Sequence, residues 1–249
     1  MNELCFLSAA EIAARIRSRK FSPQEAIHAH LKRIEKLNPR LNALIYVDRD
    51  RALKAAQEAE RAVMKGLPLG PLHGVPITIK SSVEVAGWPW EAGTRLRAGL
   101  RGSIDAPLVE RLKRAGAILL GSTNAPEFLM AYETNNLLYG RTHNPWDLNR
   151  TPGGSSGGES AAIAAGLSAG GVGSDGGGSI RIPAHYTGIC GLKPTPGRIP
   201  ATGHFPASLG PFALIGVVGP MARTVRDLKL LFEVMAGYDE GDPSSAPVA

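Results

Sequence analysis

The sequence predicts an α/β fold. Three observations predict it: helices opened by capping residues, short apolar runs between those helices, and glycine-rich turns where the two kinds of element meet. This alternation occupies most of the 249 residues. A chain of that length can bury about 70–75% of its extended surface in a single domain. Its 43% apolar and 20% charged content is that of an ordinary globular protein.

Taken in order, Ser8 with Glu11 forms a capping box that opens the first helix. Ser22-Pro23-Gln24-Glu25 forms a second box, with proline at the first helical position. Ile27, Leu31, Ile34 and Leu37 then recur at helical spacing, and Asn38-Pro39 is expected to stop that helix. Residues 49 to 65 form a third helix that Gly66 ends. Val75 to Lys80 is a buried strand with Pro76 near its start. Asp105 starts a helix to about Ala115, Gly116 closes it, and Ala117 to Leu120 is the next strand. Glu159 to Leu167, rich in small residues, is a helix able to lie close to a sheet. No internal repeat or low-complexity linker interrupts the series.

Charge and cysteine usage exclude several classes. The net charge of +6 comes from basic residues on several helical segments, such as Arg15, Arg17, Arg19, Lys20, Lys32 and Arg33, then Arg111, Lys113 and Arg114. No aromatic residues interleave with them, so they read as solvated helix faces and no nucleic-acid partner is expected. Cys5 and Cys190 are too few for a disulfide scaffold and lack metal-ligand spacing, which fits a reducing, cytoplasmic setting. Met-Asn-Glu-Leu-Cys shows no basic segment leading into a cleavable apolar core, so no secretion signal is expected. The apolar stretch from Pro206 to Met221 is interrupted repeatedly by proline and glycine, and no membrane span is expected there.

Two glycine-rich stretches carry the chemistry: Gly153-Gly154-Ser155-Ser156-Gly157-Gly158, and Gly173-Ser174-Asp175-Gly176-Gly177-Gly178-Ser179-Ile180-Arg181. Each sets hydroxyls among residues without a Cβ, so the backbone can fold tightly around a reacting atom and aim N–H groups at it. A serine nucleophile needs a base. The six histidines, His28, His30, His73, His143, His185 and His204, are scattered with no acid at a telling spacing, and read as surface or packing residues. Lys80 ends the run Val75-Pro76-Ile77-Thr78-Ile79, where a strand would carry it inward. Burial lowers an amine's pKa toward neutrality and frees it to act as a base. A lysine after a strand also commonly snorkels to the surface, so the surrounding motifs decide.

Those motifs do decide. His73-Gly74-Val75-Pro76-Ile77-Thr78-Ile79-Lys80, the block at 153–158 and the block at 173–183 stand in the order and spacing of the amidase signature family, and the chain resembles that family from about residue 8 to 243. Ser122-Thr123-Asn124 and the run Tyr139 to Leu148 are most similar to the fatty-acid amide hydrolase branch. The resemblance implies an amidase signature fold, a mixed twisted sheet between helical layers, of which this chain holds the N-terminal part. It also implies a division into a helical segment 1–66, a catalytic core 67–240 and a tail 241–249.

Carried onto this sequence, the resemblance implies cleavage of carboxylic amide bonds through an acyl-enzyme and a Ser-Ser-Lys triad. Ser179 would be the nucleophile, Ser155 a bridging hydroxyl after a cis peptide, and Lys80 the base. The backbone N–H groups of Gly176, Gly177, Gly178 and Ser179, ahead of a helix beginning near Ile180, would form the oxyanion hole. Asp175 and Arg181 would pair to hold that loop, or else touch substrate. Ser156 would bond within the site or cap the local backbone. Leu129, Met130 and Tyr132 would line the acyl side of the pocket, or belong to the core. Neither a cofactor nor a metal is implied; the partner is a small-molecule amide.

Two other matches fail on context. Gly153-x-Ser155-x-Gly157 fits a nucleophile elbow, but Asn149-Arg150-Thr151-Pro152 ahead of it is loop material and not a strand. Gly171-x-Gly173-x-x-Gly176 fits a dinucleotide fingerprint, but the region about 20 residues on is basic where an acid is required. The chain also departs from the family pattern: Ser81-Ser82 follow the lysine where an acid is common, and Gly176 stands where a larger residue is usual. The family domain continues well beyond Ala249. A missing C-terminal half or a homo-oligomer is therefore expected, with weak hydrolysis by the isolated chain. Two alternatives remain: the A subunit of an aminoacyl-tRNA amidotransferase, and a truncated fragment without catalysis.

Overall fold

A computed structural model describes residues 3–245 and 247. Seven helices, α1 (Ala9–Arg17), α2 (Pro23–Leu41), α3 (Arg49–Met64), α4 (Pro107–Arg114), α5 (Gly157–Ala164), α6 (Arg181–Thr187) and α7 (Val225–Met235), surround the sheet among the described residues. The six strands are β1 (Leu44–Val47), β2 (Pro76–Lys80), β3 (Ile118–Thr123), β4 (Gly170–Asp175), β5 (Cys190–Gly191) and β6 (Val217–Ala222). They form one sheet in the order β1-β3-β2-β4-β6-β5. The central β3, β2 and β4 are parallel, whereas β1, β6 and β5 join antiparallel, so the sheet is mixed. No described helix is long and apolar enough to cross a membrane. Cys5 and Cys190 are both free.

Both expected capping boxes form: Ser8 and Ser22 accept from the amides of Glu11 and Glu25, whose carboxylates reach back to the serine amides. Such a cap stabilises a helix end by about 1 kcal/mol. The stop expected at Asn38-Pro39 is corrected, because α2 runs on through Pro39 to Leu41. Asn38 explains the extension: its side-chain oxygen accepts from the amides of Ala43 and Leu44, and its amide group donates to the Leu44 carbonyl. That stitching fastens the last turn to β1, and Asn42 closes it in the left-handed region at φ 51°.

β2 is buried along its whole length and divides its residues between two faces. Ile77 and Ile79 join Leu119, Leu108, Leu112 and Leu231 in a core roofed by α1, α4 and α7. Thr78 and Lys80 point the other way, toward α5, where Ile118 and Leu120 pack with Ala161 and Ala162. β3 extends past Leu120 to Thr123 because its polar end pairs with β1 on one side and β2 on the other. In the segment 241–249, Asp242 is buried and accepts from the Ala201 amide, while Ala246, Val248 and Ala249 lie outside the described residues. Met1 and Asn2, the start of the stretch in which no secretion signal is expected, also lie outside the described residues.

Candidate active site

Lys80, the last residue of β2, is fully buried. Its Nζ lies 2.7 Å from Ser155 Oγ, 3.0 Å from Ser156 Oγ and 3.0 Å from Ser174 Oγ. Burial pushes its pKa down to about 7, against the opposing negative charges of Asp175 and Glu159. As an ammonium the nitrogen donates to all three hydroxyls; as a free amine it has two hydrogens and one lone pair, so one hydroxyl must donate to it.

The loop carrying Ser155 and Ser156 is fixed from outside. Thr134 Oγ1 donates to the Gly153 carbonyl at 2.9 Å and accepts from the Gly157 amide at 3.1 Å. The Gly154–Ser155 peptide is cis. Ser156 bonds within the site and makes no helix cap: its Oγ takes the Lys80 contact and exchanges hydrogen bonds with the Ser174 backbone at 3.3 Å. Its amide donates to the Ser179 carbonyl at 3.1 Å, which ties the two serine loops together. Ser155 and Ser179 line one cavity, but no hydrogen bond joins their hydroxyls among the described residues.

Ser179 sits between β4 and α6, on a loop organised by Asp175. The Asp175 carboxylate accepts from the amides of Gly178, Ile180 and Arg181 and from the Arg181 guanidinium at 2.9 and 3.0 Å. Burial raises its pKa, but the Arg181 bonds and the three amides outweigh that, and the net shift is downward. Within the expected oxyanion set, the Gly178 N–H donates to Asp175 at 2.7 Å. The N–H groups of Gly176, Gly177 and Ser179 make no hydrogen bond among the described residues. Gly178 itself has φ 125°, in the region that favours glycine.

The cavity holds ≈ 510 Å³. Ser155, Ser174, Ser179, Gly176 and Gly177 form its floor, and among the described residues no lysine or arginine lines it. Leu129, Met130 and Tyr132 all stand along it. Met130 is 84% and Tyr132 58% exposed, so these two are rim and not core. Tyr132 also donates its hydroxyl to the Gly177 carbonyl at 2.9 Å, tethering the oxyanion loop. Phe128 and Leu129 are both left-handed, at φ 49° and 64°, a conformation side chains adopt at a cost where the surroundings fix it.

Four residues are not foreseen from the sequence. Ser174 completes the lysine's hydroxyl cage, and its serine stands in a motif the sequence already marks. Phe212 fills the space beside Gly176: a Cβ there would lie 2.6 Å from the Phe212 ring, so this loop takes glycine because its neighbour is large. His204, expected to be a surface or packing residue, lines the cavity. Its Nδ1 faces the Pro206 carbonyl at 2.9 Å, and burial and the Lys80 charge lower its pKa to about 4, so it stays neutral. The fourth, Glu159, lies behind Lys80. Among the described residues no group of His, Cys, Asp and Glu could hold a metal.

Comparison with known proteins agrees with this architecture. The family model described as Amidase matches residues 25–249. The chain is 46% identical over 242 residues to an indoleacetamide hydrolase of Bradyrhizobium diazoefficiens, covering 96% of this chain and 46% of the relative. It is 46% identical over 242 residues to an acylamidase of Rhodococcus erythropolis, covering 97% and 50%. A glutamyl-tRNA(Gln) amidotransferase subunit of Salinispora arenicola is 43% identical over 247 residues, covering 99% and 50%. Among solved structures, a bacterial aryl acylamidase of the amidase signature family superposes with a TM-score of 0.90 at 37% identity, over 98% of this chain and 50% of that one. A fatty acid amide hydrolase superposes at 0.92 and 34% identity, over 99% and 44%. The chain thus spans about half the length of the curated relatives it matches.

Proposed function

We propose, from the fact that this chain belongs to the amidase signature family, that it cleaves carboxylic amide bonds through an acyl-enzyme on Ser179. The observation that carries the reading is Lys80: a fully buried amine, titrating near neutrality, 2.7 Å from the Ser155 hydroxyl. In this reading free Lys80 takes a proton from Ser155 while Ser155 takes one from Ser179. The Ser179 oxygen then bonds to the amide carbonyl carbon. The resulting oxyanion is met by the N–H groups of Gly176, Gly177 and Ser179, helped by the helix start at Arg181. The same relay returns a proton to the leaving nitrogen, the C–N bond breaks, and water discharges the acyl group by the reverse route. Residues 67–240, assigned as the catalytic core, hold every group named here.

The walls suggest the substrate class. Phe128, Leu129, Met130, Phe212 and Val218 surround the floor, which suits an apolar or aryl acyl group. A second reading, in which the chain serves an aminoacyl-tRNA amidotransferase, is favoured by the Salinispora relative. It would require a place for glutamine's α-carboxylate, and among the described residues no lysine or arginine lines the cavity, so within this half of the relatives' length that place is not supplied. The two free cysteines suit a reducing, cytoplasmic setting.

A fluorophosphonate probe tests the reading together with acyl p-nitroanilides of graded chain length. Wild type is expected to label covalently and to prefer the longer or aryl acyl groups, and Ser179→Ala should lose labelling and about 10⁶-fold in turnover. Equal labelling of wild type and Ser179→Ala would sink the assignment. Failure of both proteins to label would favour the fragment without catalysis.

A further inference from the structure

Behind the Lys80 cluster lies a buried ionisable group that amide cleavage, as read above, does not use. Glu159, in the first turn of α5, is wholly buried. Thr123 Oγ1 donates to its Oε2 at 2.8 Å, and Thr78 Oγ1 meets its Oε1. The niche is built for the carboxyl: Gly171 on β4 lacks a Cβ, and a Cβ there would collide with Glu159 Oε1. Thr78 comes from the same strand face as Lys80, two residues earlier, so niche and lysine cage share β2. Glu159 makes no ion pair among the described residues.

The charges around this niche are few. Of the elements packed on α5, β2 brings Lys80, β4 brings Asp175, α6 brings Arg181, His185 and Tyr186, and β1 brings Tyr46. β3 and β6 carry no ionisable side chain. Asp175 is taken up by Arg181 and three amides. From α2, packed on β2, the buried histidine His30 has Arg223 and Arg33 as its charged neighbours, and from the loop before β6 the neutral His204 faces Lys80. The charge that acts on Glu159 is that of Lys80, and Glu159 acts back on the lysine.

We propose that Glu159 is a positioning residue for Lys80: held in the Thr78–Thr123–Gly171 niche, it shares the buried protons with the lysine, so that the base titrates as a Lys80–Glu159 pair and not alone. This inference rests on the reading of Lys80 as the base. Burial drives the Glu159 pKa up to about 8, against the pull of the two threonine hydroxyls and the Lys80 charge. The hydrogen bonds agree with an acid proton at neutral pH. Thr78 has one hydroxyl hydrogen but faces two oxygens, those of Glu159 and of Ser168 at 3.0 Å. A protonated Glu159 can donate to Thr78, which then donates to Ser168; with Glu159 ionised, Thr78 donates to the carboxylate and accepts from the Ser168 hydroxyl, so the niche accommodates both states. When Glu159 loses that proton, the new carboxylate strengthens the proton affinity of Lys80. Two sites coupled in this way lose their protons in two macroscopic steps that belong to the pair.

Two measurements on the whole protein test this. In the pH profile of kcat/KM for an acyl p-nitroanilide, the wild-type acid limb should be broader than a single ionisation. Glu159→Gln should narrow it to one proton and move its midpoint to lower pH, by about one unit, the scale of a neighbouring charge. An unmoved midpoint and width with only a lower plateau would mark Glu159 as structural and overturn the proposal. The second measurement reads no activity. Infrared titration should show a protonated carboxyl band that is absent in Glu159→Gln and that persists to higher pH in Lys80→Met, since coupling is reciprocal. Should Glu159→Gln not fold, Thr123→Val identifies the band by shifting it. A band indifferent to Lys80→Met also overturns the proposal. Failure of the base reading looks different: the infrared coupling persists while kcat/KM shows no acid limb at all.

Discussion

The floor and the rim of the cavity are built on opposite terms. At and beneath the floor, Ser155 and Ser174, with Lys80 and Ser156 behind them, are buried, and the amine and each of these hydroxyls have a named partner within a few tenths of an ångström of ideal distance. On the rim, Met130, Tyr132 and Phe212 stand open to solvent. The difference teaches where tolerance lies. A buried polar group that loses its partner bears the full cost of desolvation, whereas an exposed apolar side chain loses only some contact area. Floor residues should therefore act on rate and pH dependence, and rim residues on the choice of substrate.

Lys80→Met presses this contrast hardest. It should lower kcat on amides by about 10²- to 10⁴-fold, the range for loss of a general base, and by less on esters, whose leaving group needs little protonation. On the proposed reading the active form of Lys80 is the unprotonated amine, so kcat/KM should be full above the lysine's pKa of about 7 and fall as pH drops through it. A profile flat from pH 5 to about 9 on both substrates would dissolve the distinction between floor and rim.

Asp175→Asn tests the floor one layer back. The oxyanion loop should loosen, with kcat down about 10- to 100-fold, a part of the effect of losing an oxyanion donor outright. Stability should drop by about 2 kcal/mol, discounted for the exposure of Arg181. Because the folded-state pKa of Asp175 lies below its unfolded value, its contribution is present above about pH 4 and is lost as pH falls through the folded value. Thermal unfolding of wild type and variant should converge in acid. A constant gap at all pH values would remove the carboxylate from the account.

Met130→Ala is the mildest test. Its side chain is largely exposed, so stability should stay within about 0.5 kcal/mol and kcat should hold. KM for apolar acyl groups should rise by about three- to tenfold, as for a lost hydrophobic contact. If kcat fell as far as in Asp175→Asn, the rim would belong to the catalytic machinery after all.

Legibility follows the same division. The burial of Lys80 is readable because an apolar run delivers it, while the roles expected of Lys80, Ser155 and Ser179 come from the family resemblance of the motifs around them. β4 is not, since Gly-Gly-Val-Gly-Ser-Asp has the composition of a loop. Its glycines are required by neighbours the sequence does not reveal: Glu159 against Gly171, and Met221 Sδ, which would lie 2.7 Å from a Cβ on Gly173. Ser174 and Glu159 escape for a related reason, as each acquires meaning from a strand some eighty or more residues away. At Gly178 spacing shows that an N–H is present but not which oxygen accepts it. The helix-ending sense of Pro39 is outweighed by one asparagine side chain.

The contact between Gly176 and the Phe212 ring constrains how this loop can change over generations. A larger residue at 176 meets the ring at once, so the half-exposed Phe212 side chain must turn aside to admit it. Shrinking Phe212 first clears the space, and the second substitution then enters without collision. The two positions form a coupled pair, and the order in which they change decides whether the ring must move. Lineages with a bulkier residue at 176 are expected to carry a smaller or turned side chain at 212.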